Sequence, residues 1–284
     1  MNEDTYHLND PTWCRGCGLF GLFAALKKTS AALDLSPEKM VVVTGIGCHG
    51  RFNNYFKAYG FHGLHGRALP VATGIKLVNT ELAVIVISGD GDAYSIGLSH
   101  FVHSVRRNIN LTHIVVNNSV FGLTQGQTSP TSQHGFVSIS TPAGSKEWPL
   151  DGPLLALTSG ARFVARGFSG DPKQLTSLLK LAIPHNGYSL VEVLSPCVTH
   201  NKLNTYKWYK SHIRDVGRDP DYDPGDRPGA IASFNDREKI PVGLIFKEMG
   251  PSFGDLSLPS KMPIALADLH VEEALLNKLL EKFE

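Results

Sequence analysis

Two rhythms of apolar residues run through this sequence. Continuous apolar runs with β-branched residues stand at 41–44, 83–88, 114–116, 161–165 and 189–194. Such runs are the mark of strands buried on both faces. Between them, apolar residues recur at helical spacing. Leu19, Leu22, Phe23 and Leu26 mark a helix ending near Lys28, and 70–76 reads as another whose Ala and Gly permit close approach to a sheet. Leu98, Phe101, Val102 and Val105 mark a third helix. Leu175, Leu178, Leu179 and Ala182 mark a fourth, opened by Asp171 as N-cap and Pro172 at the first helical position. Leu275, Leu276, Leu279 and Leu280 give an amphipathic helix over 271–283. The alternation predicts an α/β fold: a mostly parallel sheet with helices on both faces, plus a C-terminal arm.

Residues 1–12 read as an arm, and the aromatic, Asn-rich 52–61 and the Pro- and Gly-bearing 141–153 as loops. The polar, Gly-rich 121–135 is too long for a simple connector and reads as a lid or pocket wall. After Asn201 the composition shifts. Residues 204–241 carry many charges and prolines with little periodicity, but Trp208, Tyr209, Tyr222 and Phe234 argue for a segment that wraps a surface. The expected division is 1–200 as the α/β domain and 201–284 as an arm and helix, packed on that domain or on a partner.

Composition narrows the function. A chain of 284 residues can bury a large core, and 42% hydrophobic with 19% charged residues fits a soluble globular protein. A net charge of +1 gives no bulk pull toward nucleic acid or membrane. The N-terminus MNEDTYHLND is polar and acidic, unlike a secretory signal, and no apolar run is long enough to span a bilayer. A cytoplasmic location is expected. The four cysteines have the number for two disulfides, but a chain without an export signal points to a reducing compartment.

The chemistry concentrates at 83–123. A buried strand meets Gly89-Asp90-Gly91-Asp92, a helix follows, and a second strand ends at Asn117-Asn118. Ligands of open parallel sheets bind beyond the carboxyl ends of the strands. Asp90 and Asn118 offer a carboxylate and an amide carbonyl there, a pair suited to Mg²⁺. The glycines leave room for a diphosphate, and the helix start adds a positive dipole end. The plainer reading of the glycines is a tight turn.

In HGLHGR, His62 and His65 are spaced for metal but lack an acidic or cysteine partner around them. Cys14 and Cys17 form C-x-x-C before a helix, while Cys48 and Cys197 each follow a strand. A parallel sheet brings such ends to one edge. Four thiolates suit a zinc site or an iron–sulfur cluster, and spacing does not choose between them. Ordinary buried cysteines and a thioredoxin-like pair are the remaining readings.

WCRGCG, HGRALPVATGIKLVN, GDGDAYSIG and NNSVFGLTQGQTSPTS carry a resemblance. G-D-G followed by N-N resembles the thiamine-diphosphate motif. Together, over 11–201, these stretches resemble the β subunit of a 2-oxoacid:ferredoxin oxidoreductase. The resemblance implies a thiamine-diphosphate-binding fold and CoA-dependent oxidative decarboxylation of a 2-oxoacid, reversible toward CO₂ fixation. Oxidation to an acyl-CoA needs a one-electron acceptor nearby, and the resemblance supplies one: a single 4Fe–4S cluster on Cys14, Cys17, Cys48 and Cys197, passing electrons to ferredoxin. It assigns Mg²⁺ to Asp90, Asn118 and the Val120 carbonyl. It sets Gly91 and Asp92 at the diphosphate, and Ile46, Gly47, Cys48 and His49 in a turn along the cofactor. Gly122 and Leu123 continue that wall. His65 would contact the phosphate end, and Arg67 the substrate carboxylate through two parallel hydrogen bonds; a structural ion pair is the other reading of Arg67.

In the family, the glutamate that serves the aminopyrimidine comes from a partner α chain. Glu3, Glu38 and Glu81 here stand in no recognisable motif. The expectation is a chain inactive alone, working in an α₂β₂ assembly. GLTQGQTSPTS looks closer to the 2-oxoglutarate branch than to the pyruvate branch. Gln125 stands where the family often has Lys or Gly, and Arg15 where it usually has Pro. The competing readings are a non-oxidative thiamine-dependent decarboxylase with structural zinc, and a non-catalytic subunit, against which the Asp90/Asn118 pair counts.

Overall fold

The computed structural model describes residues 1–236, 238–258 and 273–281. The strands are β1 (Met40–Thr44), β2 (Tyr59–His62), β3 (Ala83–Gly89), β4 (Leu111–Asn117), β5 (Val120–Phe121), β6 (Gln127–Thr128), β7 (Phe163–Phe168), β8 (Tyr188–Leu194), β9 (Ile213–Asp215) and β10 (Ile240–Lys247). The helices are α1 (Leu19–Ala32), α2 (Phe52–Tyr55), α3 (Ala68–Val78), α4 (Leu98–Arg107), α5 (Gly152–Thr158), α6 (Pro172–Ala182), α7 (Tyr206–His212), α8 (Arg227–Ala232), α9 (Phe253–Ser257) and α10 (Glu273–Leu280). Eight strands make one sheet in the order β2-β1-β3-β4-β8-β7-β10-β9, and β5 pairs with β6 apart from it. Strands β2 through β7 of that order are mutually parallel. β10 joins β7 antiparallel, and β9 lies parallel to β10.

Period-two geometry explains why the strand sequences are apolar throughout. Val42, Ile85, Ile87, Ile114 and Val116 pack into the core under α1 and α6. Val41, Val43, Val84, Val86 and Val115 face the other core, under α3, α4, α5 and α8. With both faces covered, neither parity of side chain meets water. The parallel strands end together at one edge, and the loops leaving that edge carry the chemistry.

Segments 52–61 and 152–158 depart from the sequence reading, while 204–241 packs on its own chain, one of the two arrangements expected of it. Within 52–61 lie α2 and the edge strand β2, whose four residues are all exposed; backbone pairing to β1, not burial, holds it. Residues 152–158 form α5, capped by Asp151 through the Leu154 N–H, rather than extending the loop. The 204–241 segment spends its aromatic side chains on its own chain. Tyr209 is buried, the Tyr222 hydroxyl donates to the Ile245 carbonyl at 2.6 Å, and Phe234 packs on the second core. The N-terminal arm is docked as well: Tyr6 is fully buried against Phe56, its hydroxyl 2.7 Å from the Leu35 carbonyl. Of the helix expected over 271–283, Glu273–Leu280 is seen and its outer positions lie outside the described residues.

One buried ion pair is a point of weakness. Arg166 and Glu192 are register partners on β7 and β8. Arg166 Nε donates to Glu192 Oε2 at 2.7 Å and Nη2 to Asp151 Oδ1 at 2.8 Å, while the Tyr94 hydroxyl donates to Glu192 Oε1 at 3.1 Å. Glu192→Ala leaves the buried guanidinium with Asp151 as its remaining carboxylate partner and the Tyr94 hydroxyl without its acceptor, and is expected to cost about 3 kcal/mol. A urea midpoint equal to that of the parent chain would contradict this.

Candidate cofactor and thiol site

Strand ends supply every wall of a cavity of about 230 Å³. From the β1 end come Ile46, Gly47, Cys48 and His49; from the turn after β2, His65; from the β3 end, Asp90, Gly91 and Asp92. The β4 end and the β5 turn add Asn118, Val120, Gly122 and Leu123. The structure thus brings together all the residues assigned from sequence to Mg²⁺ and to the cofactor wall. Arg67 is not in the lining. It is half-buried at the start of α3, its guanidinium donating to the Gly66 carbonyl at 3.3 Å and the Ile96 carbonyl at 3.4 Å.

The chain enters a helix at Asp90 and passes through a π turn, Asp92–Ile96, before α4. First-turn N–H groups of a helix have no intrahelical partner and suit an anion. Gly47, at φ +148°, takes a backbone conformation that only glycine adopts freely and lets His49 fold in against it. His49 is buried and accepts the Gly89 N–H on Nε2 at 3.0 Å, which places its own hydrogen on Nδ1. Burial pushes its pKa down to about 4, so it is a neutral imidazole at physiological pH.

Two buried carboxylates do different work. Asp92 Oδ1 accepts from Gly66 N at 2.7 Å, Ile46 N at 3.2 Å and His65 Nδ1 at 2.7 Å. One oxygen therefore ties two other loops, at Ile46 and at His65-Gly66, to the β3 end and leaves His65 Nε2 for the cavity. Asp90 is fully buried and its pKa is raised by that burial, against hydrogen bonds from Ser129, Thr131 and the Asn118 N–H that favour the anion. Asn118 Oδ1 accepts the Val120 N–H at 3.1 Å, curling that turn beside Asp90. Sequence reasoning missed Ser129 and Thr131. Their only signal was a hydroxyl-rich stretch in the 121–135 loop, which names no partner.

Cys14, Cys17, Cys48 and Cys197 line a second cavity of about 240 Å³. All four are free thiols, Cys14 exposed and the others half-buried. Three loops are tied together to achieve this. Trp13 Nε1 donates to the Cys48 carbonyl at 2.8 Å, and Gly18 N to the Pro196 carbonyl at 3.2 Å. A Cβ at position 18 would lie 2.9 Å from Ser195 Cα, so the C-x-x-C turn approaches the Cys197 loop only with glycine there. Burial pushes the Cys17 thiol up to about 11 and raises that of Cys48. Among the described residues, no three His, Cys, Asp or Glu side chains converge on a single metal ion. The thiols surround a space instead.

The two cavities share a wall: Cys48, Asn118, Gly122 and Leu123 line both. A Cβ on Gly122 would stand 3.6 Å from Cys197 Sγ, 3.8 Å from Cys48 Sγ and 3.7 Å from Asn118 Nδ2. Gly122 thus lies between two of the thiols and the Asn118 amide.

The family described as thiamine pyrophosphate enzyme, C-terminal TPP binding domain, matches residues 45–193, and the family of the C-terminal part of the pyruvate ferredoxin oxidoreductase beta subunit matches 197–259. The chain is 45% identical to a 2-oxoacid:ferredoxin oxidoreductase subunit beta of Saccharolobus solfataricus over 75% of its length and 70% of the relative's. It is 38% identical to the 2-oxoglutarate synthase subunit KorB of Archaeoglobus fulgidus over 85% and 86%. A solved 2-oxoglutarate:ferredoxin oxidoreductase from Magnetococcus marinus, with 2-oxoglutarate, coenzyme A and succinyl-CoA bound, superposes with TM-score 0.92 at 34% identity, covering 100% of this chain and 96% of that one. Among the described residues, no helix is long and apolar enough to cross a membrane.

Proposed function

The chain belongs to the β subunits of the 2-oxoacid:ferredoxin oxidoreductases, enzymes of several subunits, and we propose that it holds Mg²⁺–thiamine diphosphate beside one 4Fe–4S cluster for CoA-dependent oxidative decarboxylation of 2-oxoglutarate. The observation that carries this reading is the shared wall of the two cavities. A site that decarboxylates and then gives up electrons singly needs its electron carrier next door.

When bound, thiamine diphosphate supplies the electron sink for decarboxylation and the cluster a one-electron carrier. The chain's own residues do the holding. Asp90, Asn118 and the Val120 carbonyl would ligate Mg²⁺, a hard-oxygen set that leaves positions for phosphate and water. Gly91 and Asp92 offer backbone at the helix start to the diphosphate. His65, fixed by Asp92, would reach the phosphate end through Nε2. Ile46, Gly47, Cys48, His49, Gly122 and Leu123 form the apolar and backbone wall that excludes water. Arg67 is proposed for the substrate carboxylate, which it meets only by giving up its bonds to the Gly66 and Ile96 carbonyls.

Four thiols spread around about 240 Å³ suit a multi-iron cluster better than one zinc ion, whose sulfur ligands would crowd to about 2.3 Å from a point. The exposed edge at Cys14 is the proposed exit for electrons to ferredoxin. The choice of 2-oxoglutarate over pyruvate rests on KorB relatives and on the Magnetococcus marinus enzyme. The 201–284 arm is proposed to extend the 1–200 domain, since β9 and β10 lengthen its sheet. An α partner in an α₂β₂ assembly and a cytoplasmic setting complete the reading.

Asp90→Asn keeps the side chain's shape and removes its charge. Calorimetric affinity for thiamine diphosphate with Mg²⁺ is expected to fall by more than about 100-fold, beyond what loss of an outer-shell partner costs. Unchanged affinity would remove Asp90 from the site.

A further inference from the structure

Both hydroxyls that reach Asp90 land on the same oxygen. Ser129 Oγ donates to Oδ2 at 2.5 Å and Thr131 Oγ1 at 2.7 Å. Neither hydroxyl reaches Oδ1, which among the described residues accepts the Asn118 N–H at 3.4 Å. A carboxylate oxygen offers about two acceptor positions, so Oδ2 is filled and Oδ1 is open. Thr131 has a single hydroxyl hydrogen and a second acceptor in reach, Asn117 Oδ1 at 2.9 Å. The Asp90 oxygen is the nearer of the two acceptors, at 2.7 Å against 2.9 Å.

The donors are themselves immobilised. Ser132 Oγ accepts the Ser129 N–H at 2.9 Å and donates to the Ser119 carbonyl at 2.6 Å. Ser119 sits at φ +56°, unusual for a non-glycine residue, between Asn118 and Val120. The 121–135 loop is therefore less a lid than a brace that locks the β3 end to the β4 end.

Resting on the assignment of Asp90 to the cation, we propose that Ser129 and Thr131 are positioning residues that force Asp90 to ligate through Oδ1 alone, and so set the site's preference for Mg²⁺ over Ca²⁺. Mg²⁺ demands near-octahedral geometry and takes carboxylates one oxygen at a time, whereas Ca²⁺ accepts two oxygens of one carboxylate in a looser shell. With Oδ2 occupied, the two-oxygen mode is closed. Free Oδ2, and the larger ion gains a ligand that the smaller one cannot use.

The test measures thiamine diphosphate binding to the co-purified complex by calorimetry, with Mg²⁺ or Ca²⁺ as the only divalent ion. Parent, Thr131→Val, Thr131→Ser, the Ser129→Ala/Thr131→Val double variant and Asp90→Asn are compared. Thr131→Val is nearly isosteric and keeps the comparison intact if the double variant folds poorly. Mg²⁺-supported affinity is expected to fall about 10–100-fold in the variants lacking the hydroxyl, with Ca²⁺-supported affinity falling less, so that the Mg²⁺ preference narrows about tenfold. Thr131→Ser is expected to restore the parent ratio. Equal losses with both ions would mean a merely structural brace and overturn the proposal. So would parent-like affinity in Thr131→Val while Asp90→Asn fails to bind. Normal Mg²⁺-supported binding by Asp90→Asn would overturn the assignment of Asp90 itself, and the positioning role with it.

Discussion

Cys197→Ala is expected to yield a complex that still binds Mg²⁺–thiamine diphosphate but has lost its iron, its acid-labile sulfide and its ferredoxin reduction. A cubane cluster of this kind takes four cysteine ligands, and the chain has four cysteines in all. Cys197 follows β8, and its loop is held from two sides, by Gly18 N on the Pro196 carbonyl and by Asn201 N on the Cys197 carbonyl at 3.1 Å. Those are backbone bonds, so alanine keeps the loop and removes only the sulfur. Cys197 is absent from the lining of the Asp90 cavity, which is why cofactor binding survives. Besides the cysteines, His200 lines the thiol cavity and is the side chain there best able to substitute as a ligand. The measurement is metal and sulfide content with visible absorbance, on anaerobically purified parent and variant. Iron equal to that of the parent would show that Cys197 is not a ligand. Zinc without iron in the parent protein would favour the non-oxidative reading instead.

That the residues proposed for the cofactor come together was legible because parallel sheets turn sequence adjacency into spatial adjacency. Asp90, Asn118, Cys48 and Cys197 each lie within a few residues of a strand's carboxyl end, and β1, β3, β4 and β8 are neighbours in the sheet. Once the apolar runs are read as parallel strands, their exits share one edge without any side-chain information. Cys14 and Cys17 have no strand behind them. Their place depends on the Trp13–Cys48 and Gly18–Pro196 hydrogen bonds, which no spacing announces.

What stayed hidden lacked a clean apolar period. β2 exposes all four of its residues, so burial leaves no pattern in Tyr59–His62. β10 interrupts its alternation with a bulge between Leu244 and Phe246 and with Gly243 at φ +111°, after a charged, proline-rich stretch that reads as an arm. α5 did carry a signal, Asp151 before Gly152-Pro153, but in seven residues it is too short for periodicity to second it. Gln125 stands at φ +86° with its side chain exposed, a backbone state that glycine adopts at less cost than a residue with a Cβ.

The second large effect concerns the chain in isolation: expressed without its α partner, it is expected to reduce ferredoxin with no 2-oxoacid above background, even when loaded with cofactor and iron. Among the described residues, none that lines the Asp90 cavity is a glutamate. The buried Glu192 is committed to Arg166 and Tyr94, and Glu3, Glu38 and Glu81 are absent from that lining. The family resemblance implies that the glutamate serving the aminopyrimidine comes from another polypeptide, and the described lining, which holds none, is consistent with that. The exposed apolar side chains agree. Leu123, in the cavity lining, is 47% exposed, and Leu64, next to the lining residue His65 in the chain, is 77% exposed. Exposed apolar side chains of that size at a cavity's edge suit a surface that another protein covers. By contrast, the aromatic residues of 204–241 are turned inward, so the mouth and not that segment is the better candidate for the partner's footprint. The test compares the chain alone with the co-expressed complex, with 2-oxoglutarate and pyruvate as substrates and ferredoxin as acceptor, and weighs the complex by light scattering for two copies of each chain. Leu64→Asp, at an exposed position that contributes nothing to the core, is expected to weaken assembly while leaving the β subunit folded. Turnover by the isolated chain at the rate of the complex would mean that one polypeptide completes the site, and the divided catalytic centre would have to be abandoned.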